Sequence, residues 1–184
     1  MKSVATSFVA LLRGINVGGK NLISMSLLRA SFETMGFEDV STYINSGNIL
    51  FKSNESSARK LERNIEKMLS LEHLLECKVV VRSLSEMEQL VENLPEDWND
   101  DKRWKCNVIF LRHSIDSTSI LDGLHPRRDI EQVVYHPGAL IWAALRSDLT
   151  RSTMLKLSSQ KIYKDMTVRN LNTTRKLHER MKSM

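Results

Sequence analysis

The fold is decided by one stretch near the start of the chain, Phe8-Val9-Ala10-Leu11-Leu12-Arg13-Gly14-Ile15-Asn16-Val17-Gly18-Gly19-Lys20-Asn21. Its first five residues are apolar at consecutive positions, which predicts a strand buried on both faces. The next nine residues contain three glycines, two amide side chains and two cations. Glycine lets backbone N–H groups approach a ligand closely, and Arg13 and Lys20 favour an anion. The stretch therefore predicts a buried strand that leads into a polar binding loop.

Length and composition predict a cytoplasmic protein. The chain has 184 residues, of which 41% are apolar, enough to bury one sizeable core or two small ones. Its longest apolar run, the seven residues at 139–145, is too short for a transmembrane helix or a signal peptide. Cys77 and Cys106 stand far apart and outside any metal-binding pattern, so we expect buried thiols in a reducing compartment.

The positive charge is concentrated at the end of the chain. The net charge is +5, yet residues 151–184 hold nine Lys and Arg against two acids, and the preceding residues are slightly acidic. Such a concentration is one electrostatic footprint of nucleic-acid binding. Helices with solvated cationic faces explain it more simply, because no nucleic-acid motif accompanies the charge. Nucleic-acid association through 151–184 is therefore the second function that we consider.

The first half alternates strands and helices in a regular order. Apolar residues at helical spacing predict one helix over 25–35 and another over 61–75. Strands are predicted at 7–12, 40–44, 49–51 and 78–82, and the middle two are joined by the turn Asn45-Ser46-Gly47-Asn48. The order β-α-β-β-α-β is that of a ferredoxin-like unit.

The second half repeats this order with almost no residue identity. The patterns predict strands at 107–111, 131–135, 139–144 and 167–169, and helices at 117–124, 151–160 and 173–182. We therefore predict an α+β fold of two ferredoxin-like repeats, a duplication. The first repeat spans 1–83, a connecting helix and linker span 84–105, and the second repeat with a basic C-terminal helix spans 106–184.

Topology places two polar segments of the first repeat side by side. In such a unit the first two strands are parallel and the third runs back between them, so the loop at 13–21 and the turn at 45–48 share one edge of the sheet. This predicts a single polar site. Its members are Asn16, Lys20, Asn45, Ser46 and Asn48.

The loop partly matches a phosphate-binding loop. Gly14 to Lys20 satisfy the spacing G-x-x-x-x-G-K, but Asn21 stands where Mg²⁺ binding needs Ser or Thr. The predicted helix also begins too late, and two apolar strands end in Arg82 and Arg112 instead of an acid. Nucleotidase chemistry is thereby excluded. Two interpretations stay open: an anion or phosphate held without metal, and glycines and amides that serve the turn alone.

Catalytic patterns are sparse. His113 and His136 follow strands that share an edge, but no acid or serine is placed to complete a triad with them. The remaining histidines lack metal-ligand spacing. We predict no metal and no cofactor, and a small enzyme of unknown reaction is the third function that we consider. An interaction module without chemistry is the fourth.

Several segments together resemble one known family. These are 10–21, Met25, Leu28-Arg29, Gly36-Phe37, Thr42-Tyr43-Ile44-Asn45-Ser46-Gly47-Asn48, Val81-Arg82 and 167–173. They resemble the bacterial domain of unknown function 1697 (DUF1697) family. The family usually has Trp where this chain has Leu171, and Ser-Lys-Leu where it has Arg151-Ser152-Thr153. The resemblance implies a two-repeat α+β fold, implies no activity, and draws attention to Arg169 and Asn170, which either cap the last helix or complete the loop site.

The first function that we consider is binding of an anionic small ligand, such as a nucleotide or a phosphorylated metabolite, at loop 13–21 and turn 45–48. The sequence sets no oligomeric state. The predicted ligand-binding residues are Arg13, Gly14, Asn16, Gly18, Gly19, Lys20, Asn21, Asn45, Ser46, Asn48, Arg169 and Asn170.

Overall fold

The structure, a computed structural model, describes residues 5–95, 98–99 and 101–184. The chain divides into two compact units, one of Met1–Glu88 with Leu177–Met184 and one of Gln89–Lys176. Each unit contains a four-stranded antiparallel sheet with helices. The predicted α+β class is confirmed, and the domain boundaries drawn from the sequence stay predictions.

The helices and strands follow the predicted order. The strands are β1 Thr6–Leu12, β2 Glu38–Thr42, β3 Asn48–Ser53, β4 Val79–Ser83, β5 Trp104–Leu111, β6 Glu131–His136, β7 Ala139–Leu145 and β8 Met166–Asn170. The α-helices are α1 Met25–Thr34, α2 Ala58–His73, α3 Leu84–Glu92, α4 Thr153–Leu157 and α5 Leu171–Lys182. No helix in the described ranges has the length and apolar character needed to cross a membrane.

The sheet of the first unit has the order β2-β3-β1-β4, with β1 in its interior. Phe8, Ala10 and Leu12 alternate along β1 and join a core that includes Phe32 of α1 and Phe51 of β3. The rings of Phe8 and Phe51 stack with centroids 5.8 Å apart. Residues between these positions on β1 are also fully buried. The prediction of a strand buried on both faces is confirmed.

The edge strand β4 is capped by two carboxylates from α2. The N–H of Val81 donates to Oε1 of Glu62 at 3.0 Å, and the N–H of Val79 donates to Oε1 of Glu66 at 3.0 Å. Alternate N–H groups of an edge strand point away from its neighbour, and an i, i+4 pair on a helix spans them. The sequence pattern places Glu62 on the solvent side of α2. The structure corrects this, because Glu62 is only 3% exposed.

Replacing Glu62 with Ala should lower the free energy of unfolding by about 1 to 3 kcal/mol, since the buried N–H of Val81 loses its acceptor. Glu62→Gln should cost less, because its amide oxygen can still accept. Urea unfolding would measure both values. As the control, exposed Glu72→Ala on the same helix should change stability by less than about 0.5 kcal/mol. Equal losses for Glu62→Ala and Glu72→Ala would contradict the capping role.

The sheet of the second unit has the order β6-β7-β5-β8, with Trp142, Ile109 and Leu140 in its core. Two predicted helices differ from the prediction. The segment at 117–124 forms a 3₁₀ helix, Thr118–Gly123, and the helix predicted at 151–160 shrinks to α4. Ser158 and Ser159 bond back to the carbonyls of Leu155 and Lys156 at 2.8 and 2.7 Å. Such bonds compete with the helical ladder and help to end α4 early.

Candidate functional site

The loop after β1 contains a miniature hairpin. The N–H of Lys20 donates to the carbonyl of Val17 at 3.1 Å, and the N–H of Asn16 donates to the carbonyl of Asn21 at 3.2 Å. Gly18 and Gly19, the central residues, have φ of 58° and 75°. Positive φ at both central positions defines the type I′ turn of a two-residue hairpin. The glycines at 18 and 19 are therefore required by this turn.

Asn16 ties the hairpin to the second polar segment. Its Nδ2 donates to the carbonyls of Ile23 and Asn45, each at 2.9 Å, and its Oδ1 accepts from the N–H of Ile23 at 2.9 Å. Asn21 similarly donates to the carbonyl of Gly14 at 3.1 Å. The structure thus brings the loop and the turn together, as topology predicted. Asn16 makes this link through the backbone of Asn45, whereas Asn21 bonds to the backbone of its own loop.

The turn at 45–48 is clamped against the end of β1. Buried Asn48 donates from Nδ2 to the carbonyl of Tyr43 at 3.0 Å and to Oγ of Ser46 at 3.1 Å. The N–H of Leu12 donates to the carbonyl of Gly47 at 2.8 Å. The turn therefore gives the hairpin a fixed base.

The tip of the hairpin is exposed and chemically mixed. Within the described residues, the N–H groups of Gly18 and Gly19 donate to no protein atom, and Lys20 is exposed beside them. Three aliphatic side chains in and next to the loop at 13–21 and the turn at 45–48 are also exposed: Val17 at 60%, Leu22 at 71% and Ile44 at 50%. We call residues 17–20, Leu22 and Ile44 the hairpin surface. It presents N–H donors and one ammonium among apolar side chains.

Ile44 holds an unusual backbone conformation. Its φ is 48°, in the left-handed region that a β-branched residue rarely occupies. Such strain persists only where the surrounding structure imposes it, and it concentrates at functional positions. The strain presents a half-exposed aliphatic side chain beside Asn45, the residue that Asn16 holds.

Two cations lie near this surface in different ways. Arg13 is half-buried at the end of β1, where its N–H donates to the carbonyl of Lys78 at 2.9 Å. Arg180 of α5 stacks its guanidinium over the ring of Tyr43, 4.8 Å from the centroid. Nothing in the sequence pattern predicts the contact of Arg180 with Tyr43, because the two residues are far apart in the chain.

Arg169 and Asn170 lie at the end of β8 in the second unit. Oδ1 of Asn170 accepts from the N–H of Asn172 at 2.8 Å, which caps the start of α5. Arg169 is buried and donates from Nη1 to the carbonyl of Val168 at 2.8 Å. The capping alternative accounts for Asn170, and a part for either residue in the loop site stays a prediction.

The turn at 136–138 is bonded to Asp116, an acid that the sequence pattern does not single out. Oδ1 of Asp116 accepts from the hydroxyl of Tyr135 and from the N–H of Gly138, each at 2.9 Å. Burial, and then the bond to Asp116, raise the pKa of the Tyr135 phenol above its ordinary value. Nδ1 of His136 donates to the carbonyl of Pro137 at 2.9 Å.

In the described ranges, no three His, Cys, Asp or Glu residues cluster closely enough to hold a metal ion.

A family model described as "Protein of unknown function (DUF1697)" matches residues 5–142. The chain belongs to the DUF1697 family. The match includes the hairpin surface and the turn at 45–48, and it stops before the basic segment at 151–184. The family resemblance found in the sequence is therefore confirmed.

A solved structure supports the fold of this DUF1697 protein over nearly all of the chain. The conserved bacterial protein SP0830 from Streptococcus pneumoniae is similar with a TM-score of 0.84 and 28% identity, over 97% of this chain and 99% of that chain. No curated protein matches the chain. The comparisons thus give a family and a fold without a specific function.

The two departures from the family pattern fall beyond the matched residues. Leu171, in place of the usual Trp, is fully buried at the first position of α5. Arg151 donates to Asp148 at 2.8 Å, and buried Ser152 caps α4. Both positions serve packing or capping in this chain.

Proposed function

We propose that this DUF1697 protein binds an anionic, phosphate-bearing small ligand at the hairpin surface. The observation that carries the proposal is that the N–H groups of Gly18 and Gly19 donate to no atom of the described residues, next in sequence to the exposed Lys20. Successive backbone N–H groups in a turn form an anion-binding element, and a lysine adds a full charge. Because Asn16 fixes the hairpin at its base, these donors are already in position before a ligand arrives.

The apolar part of the surface narrows the ligand class. Val17, Leu22 and Ile44 add exposed aliphatic surface that a bound ligand can cover. Covering about 100 Å² of it contributes about 2.5 kcal/mol. A nucleotide supplies both parts, a phosphate for the donors and a flat base for the aliphatic side chains. An open surface of this kind favours weak binding, with a Kd of about 0.1 to 1 mM.

Lys20→Ala should weaken binding of adenosine monophosphate by about tenfold, because one charge-assisted contact is lost. Lys67→Ala, an exposed lysine on α2, is the matched control and should leave the affinity unchanged. Calorimetric titration of the three proteins would measure this. Equal affinities for all three, or no heat with wild type, would refute the proposal. Thermal unfolding should be alike in both variants, since Lys20 is exposed.

A second candidate function uses the basic segment at 151–184. Its arginines are largely engaged: Arg151 with Asp148, Arg175 with Asn99 and Arg180 with Tyr43. Its lysines are all exposed, namely Lys156, Lys161, Lys164, Lys176 and Lys182. Exposed lysines are suited to phosphate contacts that carry no sequence preference. Binding of single-stranded RNA or DNA that weakens steeply with salt would support this function, and no binding at low salt would refute it.

We also infer that the two units descend from one ferredoxin-like unit by duplication. Their sheets share one strand order, β2-β3-β1-β4 and β6-β7-β5-β8. Arg82 and Arg169 support the inference further. They occupy matching places beside Val9 and Val108, and each donates from Nη1 to the preceding carbonyl at 2.8 Å. Cys77 and Cys106 are buried and form no disulfide, which favours a cytoplasmic location for the protein.

A further inference from the structure

The second unit contains a cavity of about 310 Å³ against one face of its sheet. Met154, Leu157 and Val168 contribute apolar walls, and Asn107, Ser158 and Tyr163 contribute polar groups. Its volume lies at the small end of the range found for small-molecule sites. The lining, mainly apolar with few polar groups, is also typical of such sites.

The cavity follows from the short helix α4. In the first unit, the connection between β3 and β4 is α2, whose 16 residues bring Leu61, Ile65 and Leu69 onto the sheet. The corresponding connection between β7 and β8 contains α4, which has five residues. Fewer side chains therefore cover the sheet of the second unit, and space is left over Asn107 and Val168.

Asn107 is the unusual member of this lining. It lies on the same face of β5 as Ile109 and Leu111, where the pattern of the strand calls for an apolar residue. The side chain is only 7% exposed. In the described part of the chain its amide makes one hydrogen bond, from Nδ2 to Sδ of Met154 at 3.5 Å, and its Oδ1 accepts none.

A buried primary amide with this pairing is poorly satisfied. It carries two donor hydrogens and an oxygen with two acceptor sites, and a thioether is a weak acceptor. The amide borders a cavity, so a molecule in that space can supply the missing donor and acceptor.

We propose that this cavity binds a small aromatic or heteroaromatic amide or lactam. Its N–H donates to Oδ1 of Asn107 and its carbonyl accepts from Nδ2, which is the paired geometry that a primary amide offers. The ring lies among the aliphatic walls, with the sulfur of Met154 as a favourable ring contact. The site belongs to the second unit and is independent of the hairpin surface.

The test uses benzamide and nicotinamide as probes on the full chain, followed by NMR. Both should shift the methyl signal of Met154 and the side-chain amide signals of Asn107. N,N-dimethylbenzamide has the same ring and carbonyl without an N–H, and it should bind at least about tenfold more weakly. Asn107→Leu should weaken the binding of benzamide by a similar factor. Gln132→Leu, on the exposed side of β6, should leave it unchanged.

Three results would overturn the proposal. They are no shift with either probe at about 10 mM, equal binding of benzamide and its dimethyl derivative, and equal binding by wild type and Asn107→Leu. The last two would indicate an apolar cavity that accepts any small ring. If Asn107→Leu does not fold, the comparison of the two benzamides on wild type decides the question alone. A negative result with the benzamides would not count against the hairpin surface, which is tested separately through the amide signals of Gly18 and Gly19.

Discussion

Gly47→Ala should destabilise the protein by about 2 to 5 kcal/mol. A Cβ at this position would lie 2.8 Å from Cβ of Leu12 and 3.2 Å from Cβ of Ile15, both on fully buried residues. Over-packing of this kind costs about 1 to 3 kcal/mol, and the φ of 71° adds about 1 to 2 kcal/mol for a residue with a side chain. Denaturant unfolding would measure the loss.

Gly36→Ala separates these two causes. Gly36 has a φ of 83°, and no atom lies within 4 Å of the place where its Cβ would stand. Gly36→Ala should therefore lower the free energy of unfolding only through the unfavourable backbone angle, by about 1 to 2 kcal/mol. Losses of equal size at Gly36 and Gly47 would show that the turn does not pack against β1 as described.

The second large effect is expected for Glu131→Ala, which should lower the free energy of unfolding by about 3 to 5 kcal/mol. This carboxylate at the start of β6 is buried and accepts hydrogen bonds from the hydroxyls of Ser152 and Thr153. It also accepts from Nε1 of Trp142 at 3.2 Å and from the N–H of Arg127 at 2.7 Å. Without it, several buried donors lose their partner, and the start of α4 loses its anchor on the sheet.

Glu131→Gln should also make stability respond differently to pH. Burial acts to raise the pKa of Glu131, but the hydrogen bonds from Ser152, Thr153 and Arg127 outweigh it, so the pKa lies below its ordinary value of 4.5. A lowered carboxyl pKa stabilises the fold above the ordinary value, and this contribution is lost as the pH falls through the folded-state pKa. The stability gap between wild type and Glu131→Gln should therefore be constant above about pH 5.5 and shrink in acid.

Exposed Asp129→Asn is the control for both measurements on Glu131. Its carboxylate lies at the surface with Arg127 and Arg151, so its loss should change stability by less than about 1 kcal/mol. A gap between wild type and Glu131→Gln that widens as the pH falls would contradict the assignment of Glu131 as a buried carboxylate anchor.

Most of the fold is predictable because its signals are local. Consecutive apolar residues in β1 and helical spacing in α2 identify their elements, and the place of β3 between β1 and β2 follows from the ferredoxin-like order with its right-handed crossover. The early end of α4 depends on serine side chains that bond back to the helix, a choice that apolar spacing does not record. Charged residues such as Glu62 and Glu131 are expected at the surface, and only tertiary packing reveals that they are buried.

The candidate site, like the fold, is only partly predictable from the sequence. Topology predicts that the loop and the turn meet, and the bond from Asn16 to Asn45 shows that they do. The spacing of Gly14, Gly18, Gly19 and Lys20 suggests a phosphate loop, whereas the backbone angles produce a type I′ hairpin. The poorly paired amide of Asn107 has no sequence signal, because it depends on what α4 leaves uncovered.

The measurement that tests phosphate binding most directly is an NMR titration of the ¹⁵N-labelled chain with adenosine monophosphate and, separately, with adenosine. We predict that the nucleotide shifts the amide signals of Gly18, Gly19 and Lys20, and that adenosine, which lacks the phosphate, leaves these three signals in place. Unchanged signals with the nucleotide, or equal shifts with both compounds, would contradict the hairpin surface as a phosphate-binding site.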